Sequence, residues 1–538
     1  MSVASPRVWM GNGMALLVLA ALIGWLARLH DGAWWAAPTP HRWQWAAVGM
    51  AAYAVLCAAV FLRRRARADT PHGDSSGVLI VWASQTGFAR ELAERSAAAL
   101  QSAGIGVHAL PLQAVGAEQL ARVPRLLCIV STTGEGDAPD HAQAAVRHWL
   151  ADNGQDLAAM QYAVLALGDR RYTQFCAFGR HVDDRLQARG GTRLFERIEV
   201  DNADPRALQQ WQQRLSALAP ALATQPDWSV PTYAAWQLRE RVHVNPGSAG
   251  APIHRLRLTP IDGTLPPWVA GDIAEIAPEN APESVEAWLQ RHRRDGADIV
   301  DGRTLRAWLG RSHLPTDAQM AATTSSDATA LVHRLLALPH REYSLASTSE
   351  EGHAELLIRE HRHADGHLGI GSGWLCVHAP VGATIALRLR SNPGFHPPAP
   401  EHPMLLIGNG TGIAGLRAHL RARIAVGASD NWLIFGERNA AHDALYAEEL
   451  QQWQHAGWIA RLDLVYSRDH TPAVRYVQHA LAAASDSLRQ WIDRGGCIYL
   501  CGSLRGMATD VDSTLDILMG IDVRQELLRS GRYRRDVY

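Results

Sequence analysis

The stretch VLIVWASQTGFAR, residues 78–90, runs from an apolar segment into small polar residues and a glycine, and a helical pattern follows. A short apolar strand, a Gly-containing turn and then a helix is how a doubly wound α/β sheet begins. The pattern recurs: LLCIVS at 126–131, YAVLAL at 162–167 and RLFERIEV at 193–200 read as further strands separated by helical stretches. This alternation predicts a parallel sheet over 78–222, with ligands at the C-terminal ends of its strands. At the first of those ends, Ser84, Thr86 and Gly87 place hydroxyls and backbone N–H groups at a helix start, which suits a phosphate. The same residues suit plain helix capping equally well.

The chain has 538 residues, room for roughly three to four domains. Its 52 basic and 53 acidic residues nearly cancel, so the basic surplus of a nucleic-acid binder is absent. Every basic residue is Arg. The lack of Lys excludes a Walker A lysine, a pyridoxal-phosphate Schiff base and an S-x-x-K nucleophile. Six cysteines without a C-x-x-C pair indicate a reduced compartment, and no metal site is expected.

Residues 8–27 and 43–62 carry no charge and match the length of a membrane-crossing helix. RRRAR at 63–67 places the following chain in the cytoplasm by the positive-inside rule. The expectation is a two-helix membrane anchor over 1–67, a polar linker over 68–77, and an inner-membrane, two-pass protein with cytoplasmic domains. A cleaved signal peptide is the other reading of the first run, and RRRAR weighs against it. Farther on, 231–280 is rich in Pro, Gly and β-type residues, 281–338 reads as a helical insertion, and strands return over 341–390. From 404 a second strand-helix alternation runs to the end. The domain limits are thus 78–222, 223–400 and 401–538.

Three loops at strand ends of the first sheet carry a resemblance: ASQTGFAR (83–90), STTGEGDAPDHA (131–142) and LGDRRYTQFCAFGR (167–180). Together they resemble the loops of flavodoxin-type domains that bind FMN. The resemblance implies that Ser84, Gln85, Thr86, Gly87, Phe88 and Ala89 hold the FMN phosphate. Ser131, Thr132, Thr133, Gly134, Leu167, Gly168, Asp169, Tyr172 and Cys176 would surround the ring, with Tyr172 able to stack on it. Thr133 stands where hemoprotein reductases carry a second Tyr; with a polar residue at this place, the loop is similar to that of sulfite reductase flavoproteins.

REYSLAS (341–347) and GIGSGWL (369–375) resemble the R-x-Y-S motif and Gly-rich turn of the ferredoxin-NADP reductase family. Arg341 and the 369–372 turn of Gly369, Ile370, Gly371 and Ser372 would meet the FAD pyrophosphate. Glu342 lies beside them, Tyr343 would stack on the flavin, and Ser344 would reach its redox-active nitrogen. MLLIGNGTGIAGL (404–416) resembles an NADPH-binding turn through Gly408, Gly410, Thr411 and Gly412, with Gly415 replacing the usual Pro. YSRDHTPAVRYVQ (466–478) resembles the 2′-phosphate stretch, implying Ser467, Arg468, Arg475, Tyr476 and Gln478 as contacts. YLCGSLRGMATDV (499–511) supplies Cys501 and Asp510, with Ser503 in place of the family's Asp.

The sequence finishes on RYRRDVY (532–538), similar to the end of sulfite reductase flavoproteins, whose final aromatic covers FAD. Tyr538 is then expected to gate the nicotinamide, and Asp536 to join Ser344 and Cys501 in organising hydride transfer. The whole resembles an NADPH-dependent diflavin reductase with FMN, FAD and NADPH, and α/β domains flanking a β-barrel FAD domain. The expected partner is a heme or siroheme protein, including a sulfite reductase hemoprotein. A membrane ferric-siderophore or b-type heme reductase system is the alternative, and a membrane-tethered flavin-binding sensor with little turnover is the alternative from another class.

Overall fold

The computed structural model describes residues 77–538 except 117–118, 121, 135, 144–145, 147–155, 171, 220–221, 223–230, 322–326 and 470–473. The expected anchor over 1–67, with spans at 8–27 and 43–62, and all but the last linker residue lie outside the described residues. Among the described residues no helix is long and apolar enough to cross a membrane, so the structure lends the inner-membrane, two-pass placement no support. The longest described helix, Phe88–Ser102, has 15 residues and carries charged side chains. Its length is about 22 Å, against roughly 30 Å for the hydrocarbon core of a bilayer.

The first sheet holds β1 (Val78–Ala83), β2 (Val107–Pro111), β3 (Arg125–Ser131), β4 (Gln161–Gly168), β5 (Thr192–Arg193) and β6 (Ile198–Asp201). Their order is β2-β1-β3-β4-β5, with β6 also paired to β4, and every pairing is parallel. This is the flavodoxin-like order, in which the ligand crevice opens where β1 and β3 lead away in opposite directions. Apolar side chains cover both faces, Val81, Cys128 and Val130 on one and Ile80, Leu127 and Ile129 on the other. That is why these strands read as unbroken apolar runs. The stretch 193–200, expected as one strand, is divided because Arg193 and Arg197 both turn in to the buried Asp183.

An antiparallel sheet follows, built from β7 (Ala234–His243), β8 (Ile253–Pro260) and β9 (Ile273–Ala277). A small hairpin, β10 (Ile299–Val300) and β11 (Arg303–Thr304), interrupts before β12 (Arg341–Ser344), β13 (Ala354–Arg359) and β14 (Thr384–Arg390). The large sheet runs β12-β9-β14-β7-β8-β13, and a bridge between Leu345 and Leu356 joins its two ends. The result is a barrel filled by Trp236, Leu238, Leu256, Ile276, Leu356 and Leu387. Between β9 and β12 lie, among the described residues, four short helices, Pro282–Arg291, Leu305–Gly310, Asp317–Ala321 and Ala328–Val332, with Val285, Trp288, Leu305 and Leu309 in a core of their own. The β10-β11 hairpin among them is an element the sequence did not disclose.

The last sheet is parallel, with β15 (Met404–Asn409), β16 (Asn431–Glu437), β17 (Arg461–Tyr466), β18 (Cys497–Gly502) and β19 (Tyr533–Val537) in the order β17-β16-β15-β18-β19. The edge strand β19 carries the final residues. Tyr538 N–H donates to the Gly502 carbonyl at 3.1 Å, and its own carbonyl accepts from Leu504 N–H at 3.0 Å. Arg534 Nη1 reaches the His396 carbonyl at 2.9 Å, so the strand also grips the segment that follows the barrel. These bonds hold in place residues that would otherwise fray.

Candidate active site

At the ligand end of the first sheet, Gly87 has φ 84°, a left-handed turn that favours glycine, and a Cβ there would lie 2.8 Å from the Ser391 carbonyl oxygen. Ser84 Oγ accepts from Ala89 N–H at 3.1 Å, so this hydroxyl braces the first turn of the helix Phe88–Ser102. Gln85 Nε2 donates to Asp140 Oδ2 at 3.0 Å and to the Arg535 carbonyl at 2.9 Å. The Thr86 carbonyl accepts from Arg390 Nη1 at 2.5 Å. Phe88 packs against His340, under the Arg390 guanidinium. The expected phosphate loop therefore lies against the barrel through Thr86 and Phe88 and against the last strand through Gln85.

In the second loop Thr132 Oγ1 and His141 Nε2 are buried without a hydrogen-bond partner. Burial pushes the His141 imidazole down to about 4, although Asp140 pulls the other way. Orphaned polar atoms at this end of a flavodoxin-like sheet fit a polar ligand such as FMN. Thr133 closes its own loop: its N–H donates to the Asp137 carbonyl and the Asp137 N–H to the Thr133 carbonyl, each at 2.9 Å, and its hydroxyl lies 3.2 Å from the Asp137 carbonyl oxygen. Ser131 ends β3, and Gly134 comes against Leu504 in the helical turn that follows β18.

In the third loop, Leu167 and Gly168 end β4, and the Asp169 carbonyl accepts from Tyr172 N–H at 3.1 Å. Tyr172 is half-buried in a shallow depression with Phe175, Arg180 and Glu199. Cys176, expected beside a flavin ring, packs instead in the core beneath the loop, with Sγ 3.3 Å from the Ala166 carbonyl oxygen. Burial pushes its thiol up to about 12.

A cleft of about 960 Å³ opens between the three sheets, walled by residues that include Thr86, Tyr343, Ser344, Thr411, Asp536 and Tyr538. Within it Ser344 Oγ donates to Asp536 Oδ2 at 2.8 Å, and Cys501 Sγ lies 3.8 Å from the same oxygen. Burial raises the Asp536 carboxyl above its ordinary range against the pull of the Ser344 hydroxyl, and nearby Glu342 adds to the rise. Burial and then the Asp536 charge hold the Cys501 thiol well above its usual value, so it stays protonated.

Burial alone would raise Glu342 too, but Arg390 and His340 bring it down to about 2. Gly371 packs onto the β12 motif: a Cβ there would lie 2.5 Å from Tyr343 Oη and 2.6 Å from Arg341 Cγ. The two motifs paired by sequence thus meet in space. Gly369 and Ile370 begin the short helix that contains Gly371, and Ser372 Oγ accepts from His361 N–H at 3.1 Å.

On the nucleotide side, Gly408 and the Gly410–Gly412 turn follow the line of β15. A side chain at Gly412 would run into the Cys501 carbonyl. Gly415, in place of the family's Pro, would carry a Cβ 3.4 Å from Cys501 Sγ and 3.6 Å from Ser344 Cβ, so it sits between two of the central groups. Thr411 Oγ1 and Tyr538 Oη are 2.9 Å apart, and Tyr538 remains 53% exposed. Ser503 is tied to Asn409: Asn409 Nδ2 donates to Ser503 Oγ at 3.0 Å, and Ser503 N–H donates to Asn409 Oδ1 at 2.9 Å.

Ser467, Arg475, Tyr476, Gln478 and Asp510 line the cleft, with Gln478 Nε2 donating to Asp510 Oδ2 at 3.0 Å. Arg468 is exposed and lies outside the residues walling the cleft. Sequence reasoning missed Arg359, Asn409, Glu437 and Arg438, which also line it. Arg359 pairs with Glu437 through Nη2 while its Nη1 is buried and unpaired. Their signal was position, since Asn409, Glu437 and Arg438 stand at or just beyond the C-terminal ends of parallel strands. Among the described residues one cluster could hold a cation by geometry, Glu275, His340 and Glu342, but guanidinium groups already occupy it: Arg388 Nη2 lies 2.7 Å from Glu275, and Arg390 pairs with Glu342.

Comparison with known proteins agrees with this geometry. Residues 80–212 match the family described as Flavodoxin, and residues 406–513 match Oxidoreductase NAD-binding domain. The chain is 30% identical over 554 aligned positions to the sulfite reductase (NADPH) flavoprotein alpha-component of Salmonella paratyphi A, covering 87% of the chain and 91% of the relative. The protein of the same description from Neisseria meningitidis serogroup B is 29% identical, with 87% and 90% covered. That from Bacillus subtilis is 28% identical, with 86% and 89% covered. These similarities lend no support to the inner-membrane placement, which is dropped.

Proposed function

Because the chain belongs to the family of sulfite reductase (NADPH) flavoprotein alpha-components, we propose that it passes electrons from NADPH, by way of FAD and FMN, to a heme or siroheme protein. It is an NADPH-dependent oxidoreductase, and FMN, FAD and NADPH are its cofactors. We assign FMN to 78–222, FAD to 223–400 and NADPH to 401–538. When bound, the flavins accept a pair of electrons from the nicotinamide and release them singly.

The observation that carries the reading is the convergence of Ser344, Asp536 and Cys501 in a cleft that Thr86 of the first sheet also walls. Ser344 and the protonated Cys501 thiol are donors aimed at one carboxylate oxygen. They orient that carboxylate where the barrel meets the nucleotide turn. Arg341 and the 369–372 turn would bind the FAD pyrophosphate, Tyr343 would pack on the ring, and the Gly410–Gly412 turn would receive the nucleotide. Tyr538, fixed by its main chain and by Thr411, would exclude water from the flavin face until the nicotinamide displaces its ring.

The hemoprotein acceptor rests on the relatives, whose description names each as one component of a sulfite reductase. Mixing the flavin-loaded chain and NADPH with a siroheme sulfite reductase hemoprotein should bleach the siroheme band at a rate proportional to the concentration of the chain. An unchanged band, with rapid reduction of ferricyanide in the same sample, would reject this acceptor and leave the flavin chemistry intact.

A further inference from the structure

Arg535 and Asp536 are consecutive on β19 and point to opposite sides of it. Asp536 reaches inward to Ser344 and Cys501. Arg535 reaches outward to Asp140 in the second loop of the flavodoxin-like sheet, its Nε donating to Asp140 Oδ2 at 2.7 Å and its Nη2 engaging the other oxygen. Both side chains of this pair are largely buried, at 15% and 10% exposure. Gln85 fastens the same spot, donating to the Arg535 carbonyl and to Asp140. The peptide bond leading into Asp536 is therefore held directly by the expected FMN phosphate loop.

We propose that Asp140 is a positioning residue for hydride transfer: through Arg535 it fixes the strand that carries Asp536 and Tyr538, so the site is fully braced only while the flavodoxin-like half is docked. This rests on the proposed role of Asp536. Arg535 also bonds Asp512, on the helix Thr509–Met519 of the same domain, at 2.5 Å, and Tyr533 Oη donates to Asp512 at 2.6 Å. Losing Asp140 therefore slackens the strand without detaching it. Undocking, which frees the FMN face for an external acceptor, would by the same linkage slow the uptake of further electrons from NADPH. A residue on one half thus times chemistry on the other.

The test uses the full chain loaded with both flavins. In Asp140→Asn, amide hydrogen exchange of residues 533–538 should quicken about tenfold, while exchange of 404–409 stays at its wild-type rate. Stopped-flow reduction by NADPH should slow on the order of tenfold with little change in NADPH affinity. Asp140→Glu, which keeps the charge, should restore both. Unchanged exchange at 533–538, or faster exchange with reduction at the wild-type rate, would overturn the proposal. If wild-type protein holding both flavins is not reduced by NADPH, the parent reading fails and this proposal with it, before any substitution is compared.

Discussion

Ser344 Oγ lies 2.8 Å from Asp536 Oδ2, although the two residues are 192 positions apart and belong to different sheets. The bond exists only because the barrel's β12 and the edge strand β19 end at the same point. Cys501, beside Asp536 in the β18-β19 register, approaches the same oxygen.

Asp536→Asn separates stability from chemistry. The fold raises this carboxyl, so the folded protein favours its protonated form, and an ionised Asp536 costs stability at any pH above the folded-state value. Asn carries no such cost. The variant is expected to melt at a higher temperature than wild type at pH 8, with the gap narrowing as pH falls toward the carboxylate range. Its reduction by NADPH should slow roughly tenfold to a hundredfold. Thermal melts at several pH values and stopped-flow traces check both parts.

His419 is buried with neither ring nitrogen bonded, between Phe395 and Tyr499 at centroid distances of 5.0 and 5.1 Å. Burial, with Arg534, His396 and Arg423 nearby, lowers it from 6.5 to about 3. Between those values the unfolded chain takes up a proton that the folded chain refuses, so stability is lost as pH falls. His419→Phe should remove up to about 1.4 kcal/mol per pH unit of that slope. Urea unfolding at pH 7 and pH 5 measures it, and an unaltered slope would count against the assignment.

Removing Tyr538 deletes an aromatic that is fixed at its main chain and bonded to Thr411, yet half-exposed in the cleft. The truncated chain is expected to raise its NADH-to-NADPH rate ratio about two- to tenfold, because either nicotinamide then reaches the flavin without displacing a ring. An unchanged ratio would remove Tyr538 as a gate.

Arg475 lines the cleft and Arg468 does not. Arg475→Ala should therefore raise KM for NADPH about tenfold while leaving KM for NADH nearly alone. Arg468→Ala should do less. The reverse ranking in steady-state assays would restore Arg468 as the reader of the 2′-phosphate.

What was legible in the sequence was local. A strand, a glycine turn and a helix lie within about fifteen residues, so the strand-turn-helix units around 83–90 and 408–412 could be read directly. The R-x-Y-S strand and the 369–372 turn were paired by resemblance, and Gly371 packs on Tyr343 as that pairing requires. What was not legible depends on distant parts of the chain. Nothing near Asp140 or Arg535 announces a pair 395 positions apart, nor does Glu91 reveal that Arg388 of the barrel lies 2.6 Å away. Cys176 was expected at the ring because its loop resembles a flavin-binding one, but its backbone turns left-handed at φ 52° and its thiol lies in the core. The departures at Thr133 and Ser503 are also accounted for only in three dimensions, where Thr133 closes its own loop and Ser503 bonds Asn409 at the end of the neighbouring strand.

The most direct test of the central claim is to count the flavins released from the purified chain and to follow their reduction by NADPH on the same preparation. One FMN and one FAD per chain, both reduced by NADPH within seconds, is the predicted result. FAD without FMN, or two flavins that NADPH leaves oxidised, would contradict the electron path proposed for this cleft.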